Sequence, residues 1–427
     1  MRRALADELH ARPPAPVTSP AVVSCLALLD APADEILQWL QRIGGPAAAP
    51  DAAHVLLDLH GVRIKWERHG EFASLTLVRP LPGATLGGLD AFPSAFAALD
   101  GLALEHLPGR LIAAADIVLL PAGVGTPDDD KLARWFDPGA LAGARVLDGS
   151  ASLFTDFIVR DEGGRGGRTR WMVLDAGMEL AQSARLVQRV IEIETYRMMA
   201  LLAFPLARAA IPQLSAIEQQ LAAITSATAA LRGQADLAAT QAEERRLLDE
   251  LTRVAAEVER SVAATAFRFS AAQAYWELTS ARVRELREQR IGKRRTIGGF
   301  LARRLAPAMK SCAAAAGRQE ELSARIERGS SLLRTRVDIA REEQNQRLLA
   351  AMDQRGRISL RLQQTVEGLS VAAITYYGAG LTAYLAKPMK SVWPGLNTDW
   401  VVAAAIPVLA FLIWRGVHRI RRSIDAD

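Results

Sequence analysis

His54, Asp58 and His60 alternate along one short apolar stretch, and His69 follows in the next. Imidazole and carboxylate groups sharing one face of a strand pair are the donor types of a divalent-metal site. The plainer reading is a half-exposed polar edge. Further on, "VQRVIEIETYRMMALL" (187–202) gathers Glu192, Glu194, Tyr196 and Arg197. Paired carboxylates serve acid–base chemistry when a nucleophile or a metal set accompanies them. Here Glu194 precedes Arg197 by the spacing of an ordinary helical ion pair, so structural pairing is the expectation. "DEGGRGGRTR" (161–170) is glycine-rich enough to suggest a phosphate cradle, but its flanks read as strands and no helix follows. A hairpin loop fits that context better. The motifs GxxxxGK[ST], HExxH, GxSxG and paired CxxC do not occur. The chain therefore reads as a non-enzyme, with no catalytic residue, cofactor or metal ligand assigned.

A stronger signal is basic. Arg282, Arg284, Arg287, Arg290, Lys293, Arg294 and Arg295 crowd into "ARVRELREQRIGKRRTIGGFLARRLAPAMK" (281–310). Such a density of cations can meet phosphates or anionic lipid. Phe300 is the only aromatic residue in the stretch, so base stacking is unsupported and nucleic acid is not expected as a partner. A solvated helix end is the base reading, and contact with an acidic protein surface is the other.

The elements that must position these groups change near residue 177. Before it, "AVVSCLALL" (21–29), "HVLLDL" (54–59) and "RLIAAADIVLL" (110–120) have strand length and composition. Residues 62–80 read as a hairpin turning at His69-Gly70, and 153–175 as another. Short helices are expected at 33–43, capped by Asp34, and at 128–136. The prediction is an α+β protein: a mixed α/β domain of about seven or eight strands over 1–176, then helices. After Gly177, helices are expected over 184–204 until Pro205, over 214–233, and from about 235 to 289. In the last of these, Leu248, Leu251, Val254 and Val258 recur at helical steps. A final helix starting near Arg318 carries a mostly apolar stripe of Val337, Ala340, Gln344, Leu348, Met352, Arg355, Ile358, Leu362, Val366 and Leu369. About fifty residues of it would make a stalk on the order of 75 Å. Gly329 and Gly356 are places where it could bend. The whole of 177–368 reads as a long-helix bundle and stalk.

The stalk leads into uncharged sequence. Between Glu367 and Lys387, and again from Trp400 to Trp414, no charged residue occurs. Each run reaches the length needed to cross a bilayer, and aromatic residues stand near the ends. Two transmembrane helices are expected, at 369–386 and 400–417, joined by a short outer loop at 387–399 and followed by a basic tail at 418–427. Arg355, Arg357, Arg361, Arg415, Arg419, Arg421 and Arg422 flank the pair on one side, against Lys387 and Lys390 in the loop. That asymmetry places both termini in the cytoplasm. The beginning "MRRALADELHARPPAP" lacks an apolar core and does not read as a signal peptide. With only Cys25 and Cys312, no disulfide framework is expected, which suits a reducing compartment. On the first helix Gly368, Ala372, Thr375, Ala379, Thr382 and Ala386 form one small or hydroxylated face, with Gly378 beside it. Such a face permits close helix packing or lines a narrow pore.

"ELHARP" (8–13), "KWERHGEF" (65–72), "TDFIV" (155–159), "LVQRVIEIETYRMMALLAFPLAR" (186–208) and "LRLQQTVEGLSVAAITYYGAGLTAYL" (360–385) resemble the bacterial family called domain of unknown function 3422. That resemblance covers nearly the whole chain and implies an inner-membrane protein with no assigned activity. The order of domain, long helices, stalk and C-terminal hairpin also looks like the CorA-type magnesium channel superfamily. That likeness implies a homo-oligomer, pentameric in the superfamily, with the first membrane helix around a pore. The superfamily's Gly-Met-Asn is missing; "YLAKPMKSVW" (384–393) stands there instead. Lys387 and Lys390 at one mouth, and Arg357 and Arg361 toward the other, disfavour cations. The expectation is a CorA-like ion channel or transporter relative. The alternative is a membrane-tethered scaffold without transport.

Overall fold

The computed structural model describes residues 2, 13–46, 52–99, 106–123, 127, 129–161, 166–231, 237–392 and 398–424. They divide into two compact units, 1–233 with 247–330 and 234–246 with 331–427.

The first unit is built on a sheet of nine strands among the described residues, in the order β2-β3-β4-β1-β5-β8-β7-β6-β9. Strands β1 (Ala21–Leu29), β2 (His54–Leu59), β3 (Val62–Arg68), β4 (Phe72–Pro80) and β5 (Arg110–Pro121) form one half. The other half holds β6 (Ala142–Val146), β7 (Ala151–Thr155), β8 (Thr169–Asp175) and β9 (Gln289–Arg290). The β5–β8 pair is parallel; the other pairings are antiparallel. Every residue of β1 is buried, as a central strand covered on both faces requires.

Alternation sends Val22, Leu26 and Leu28 to one face and Val23, Cys25 and Ala27 to the other. The first face is closed by α1 (Ala33–Arg42), whose Ile36, Trp39 and Leu40 are buried, and by short helical turns carrying Phe96 and Leu99. A small helix, α2 (Asp129–Ala133), adds Leu132. The opposite face takes α3 (Leu180–Leu201), with Leu186, Val190 and Ile193 fully buried. Around it lie α4 (Ala203–Ala230), α5 (Leu237–Glu285), α6 (Ile297–Arg304) and the first part of α7 (Ala306–Val392). Helices α5 and α7 run antiparallel here. Gln319 donates to Ser261 Oγ (2.9 Å) and Thr265 Oγ1 (3.0 Å), and Gly329 lies against Leu251.

Several expectations are corrected. Eight strands among the described residues fall within 1–176, inside the range read from sequence, but strand signals do not end at Gly177: β9 adds a ninth strand to β6 from within the basic stretch. Asp34 lies in the first turn of α1, and Pro32, without a side-chain bond, precedes the helix. Pro205 does not end a helix: the break falls at Leu202, and Pro205 sits in the first turn of α4, where no N–H is needed. Pro212 is carried inside α4, so 203–230 is one helix rather than a later start at 214. The buried register of α5 begins with Leu247 instead of Leu248, then Leu251, Val254 and Val258. The last long helix starts at Ala306, ahead of Arg318, and is unbroken at Gly329 and Gly356.

Helix α8 (Thr398–Ile424) completes the second unit. The helical backbone of α7 continues through Lys387 and Lys390, where an outer loop was expected; residues 393–397 of that loop lie outside the described residues, as does "ELHARP" before Pro13. Three stretches, not two, are long and apolar enough to cross a membrane: 180–230, 297–387 and 399–419. The additional one spans α3 and α4; the apolar face of α3 packs on the sheet and α3 holds a buried ion pair.

Candidate functional site

Two regions gather the residues singled out from sequence, and each lies within one unit. The first is the helical hairpin. Gly378 of α7 lies against Leu409 of α8, and a Cβ on it would come 3.3 Å from the leucine's Cδ1. Thr375 is 9 % exposed and Ala386 2 %, while Gly378, Ala379 and Thr382 are half-buried on the same side. On α8, Val402, Ala405, Leu409 and Ile413 are half-buried at helical steps. Small residues on α7 admit the larger side chains of α8. The hydroxyls of Thr375 and Thr382 donate back to Val371 O (2.7 Å) and Gly378 O (2.8 Å), so their protons stay within the helix. Gly368 and Ala372 are exposed and outside this contact. On the other side Tyr376, Tyr377, Leu381, Tyr384 and Leu385 are open, and the Lys387 ammonium sits 4.9 Å from the Tyr384 ring centre.

The second region is the basic segment, which is not one helix face. Arg282 and Arg284 end α5, Arg287 turns the chain at φ 52°, Arg290 lies in β9, and Lys293, Arg294 and Arg295 follow in a turn. Arg282 pairs with Glu192 and with Glu285 (2.7 Å), Arg287 with Asp148, and Arg294 with Asp129. Arg284, Arg290, Lys293 and Arg295 are exposed. The turn is held by backbone bonds: Gly143 N donates to Arg295 O (2.8 Å), and Ile297 N and Gly298 N donate to Glu288 (2.6 and 2.9 Å). Burial drives the Glu288 carboxyl up, and those two N–H bonds only partly offset it.

The resemblance noted from sequence is then decided by comparison with known families: the one described as "Protein of unknown function (DUF3422)" matches residues 1–424. The chain belongs to this family. No curated protein is similar enough to count as a relative. Among solved structures, "structure of the full-length CmaX protein" is similar at 16% identity, over 75% of this chain and 92% of that one, with a TM-score of 0.15.

The remaining candidates separate plainly. Glu194 and Arg197 do form a buried pair, with Arg197 Nε donating to Glu194 Oε2 (3.0 Å) and the guanidinium over the Phe157 ring. Glu192 turns instead to Arg282, so the carboxylates are not brought together. Asp58 is engaged by Arg63 (2.9 Å) and held below the usual carboxylate range by that bond. His69 stacks on Phe72, and no group of three metal-ligating side chains exists among the described residues. The glycine-rich segment joins the antiparallel strands β7 and β8, as a hairpin loop does.

Sequence reasoning missed two buried polar clusters. Asp116 of β5, 1 % exposed, accepts from Ser24 Oγ, Ser94 Oγ (2.8 Å) and Arg168 Nε (2.9 Å). Burial raises its carboxyl despite these partners. A lone acid inside the apolar run "AAADIVLL" was the available signal. Lys65 and Glu67 pair at 2.8 Å with both side chains 4 % exposed, and Lys65 Nζ also donates to Pro13 O (2.6 Å). The charged groups of both clusters are bonded within the protein, as in buried polar networks that rigidify and specify a core.

Proposed function

We propose that this chain is a membrane-tethered, self-associating protein whose sheet domain is held at the cytoplasmic face of a bacterial inner membrane by the α7–α8 hairpin. The observation that carries it is a stripe on α7. Leu348, Met352, Ile358, Leu362, Val366 and Leu369 recur at helical steps and are 56–73 % exposed. Arg355, Arg357 and Arg361 interrupt the stretch, so the acyl region of a bilayer is a poor cover for it. A second copy of the same stalk supplies the matching apolar surface, as in other seams with this period. The basic residues flanking the hairpin set its orientation. With the small face of α7 occupied by α8, the hairpin works first as an anchor.

A second reading rests on the exposed stripe continuing through Leu369, Tyr376, Leu381 and Tyr384. A closed ring of α7 helices would then surround an axis, as in a CorA-like channel, lined by a face other than Thr375, Gly378 and Thr382. The test is the mass and symmetry of the detergent-solubilised protein, then ion flux in liposomes. An oligomer without flux supports the tether. A five-fold ring with flux moves the channel reading first. A monomer at all concentrations sinks self-association in both.

A further inference from the structure

The basic turn borders a cleft that neither membrane reading uses. It has a volume of about 570 Å³, and its lining includes Asp129, Leu141, Ile291, Lys293, Arg294 and Arg295. That size suits a nucleotide-sized ligand. Asp129 neutralises Arg294, whose guanidinium also lies over the Phe154 ring at 5.6 Å. Lys293 and Arg295 meet no carboxylate among the described residues, and neither does Arg290 nor Arg145 on the adjoining strands. Asp128 and Asp130 flank Asp129 in sequence, Asp128 lying outside the described residues and Asp130 being exposed; Asp137 Oδ1 is engaged by Gly139 N (2.7 Å).

We propose that this cleft binds a phosphate-bearing small molecule of about nucleotide size, with its anionic group held between Lys293 and Arg295. The turn is built in advance of binding. Arg295 O is fixed to β6, Arg294 N closes onto Ile291 O (3.1 Å), and Gly292 at φ 54° leaves open space where a side chain would stand. Leu141, Ile291 and Pro138 offer an apolar wall for the uncharged part of the ligand. Guarding an open sheet edge with cations explains Arg290 in β9. It does not explain Lys293, which comes after the strand, and Arg295, although bridged to Ala142 at the same edge, lines the concavity with it.

The experiment is calorimetric titration of the full-length, detergent-solubilised chain with ATP, inorganic tripolyphosphate and adenosine at low ionic strength. Saturable binding of ATP, competition by tripolyphosphate and no response to adenosine are expected. Two charge-assisted bonds are at stake, so Lys293→Gln with Arg295→Gln should weaken binding at least about tenfold. Arg341→Gln, an exposed arginine on α7, should leave it unchanged. Absence of saturable binding by both phosphate probes overturns the proposal. So does binding that the double variant leaves intact, which would mean an adventitious ion only. Both substituted side chains are exposed, so the variant is expected to fold, and an unchanged circular dichroism spectrum confirms it.

Discussion

Gly378 on α7 and Leu409 on α8 are in contact, and the space for the leucine exists because residue 378 has no side chain. Enlarging Gly378 to Leu should strain the hairpin by about 1–3 kcal/mol, the usual cost of overpacking. Gly380→Leu is the control, since a Cβ there meets nothing within 4 Å. Thermal unfolding in detergent should show a lower midpoint for the first variant and no change for the second. Equal midpoints would remove the glycine's packing role.

The stalk stripe makes a different prediction. Leu362→Glu combined with Val366→Glu places charges on positions that are 68 % and 56 % exposed in the single chain. Folding of the chain should therefore be unaffected, while self-association falls by an order of magnitude or more, each buried side chain being worth about 1.5–3 kcal/mol. Sedimentation across a concentration series reads the change. Unaltered association would exclude this face as the interface.

The buried pair of Glu194 and Arg197 should behave asymmetrically. Arg197→Leu leaves a carboxylate 1 % exposed with Trp171 Nε1 (3.3 Å) as a remaining partner, at a cost of about 3–5 kcal/mol. Adding Glu194→Leu should recover much of that loss, because the unpaired charge goes with it. Urea unfolding followed by tryptophan fluorescence measures both. A double variant as unstable as Arg197→Leu would show that packing, not charge, is what the pair contributes.

Asp156 provides the pH test. Burial pushes its carboxyl up, but Arg160 and the N–H groups of Asp137 and Ile158 outweigh burial and hold it below the usual range. A depressed acid stabilises the fold above its unfolded value of about 3.9, and the contribution is lost as pH falls through the lower folded value. Asp156→Asn should thus cost about 1–3 kcal/mol at neutral pH, moderated because Arg160 is 22 % exposed. The gap to the unsubstituted protein should narrow below about pH 4. A gap constant down to about pH 2 would contradict this account of the carboxylate.

Much of the scaffold was legible before any coordinates. Strands β1 and β2 fall where their apolar runs do, and β3 and β4 turn at His69-Gly70, because side-chain alternation and glycine are local properties. The Glu194–Arg197 spacing likewise announced its pair. Gln289–Arg290 announced nothing: two exposed polar residues become a strand because β6 offers unpaired backbone groups beside them. Pro205 misled for a related reason, since a proline marks a helix start or an end according to what packs before it.

The amino-acid sequence by itself determined which segments are apolar, where they alternate or repeat, and that two uncharged runs lie between flanking groups of arginines. Those properties reside in single residues and their neighbours. Only the tertiary structure decided that Gly378 faces Leu409 of α8, that Thr375 and Ala386 are buried, and that α3 covers a sheet. It also decided which cations of the basic stretch find carboxylates and which line a cleft. Each of these depends on which distant segment occupies the neighbouring space, and no local pattern encodes that choice.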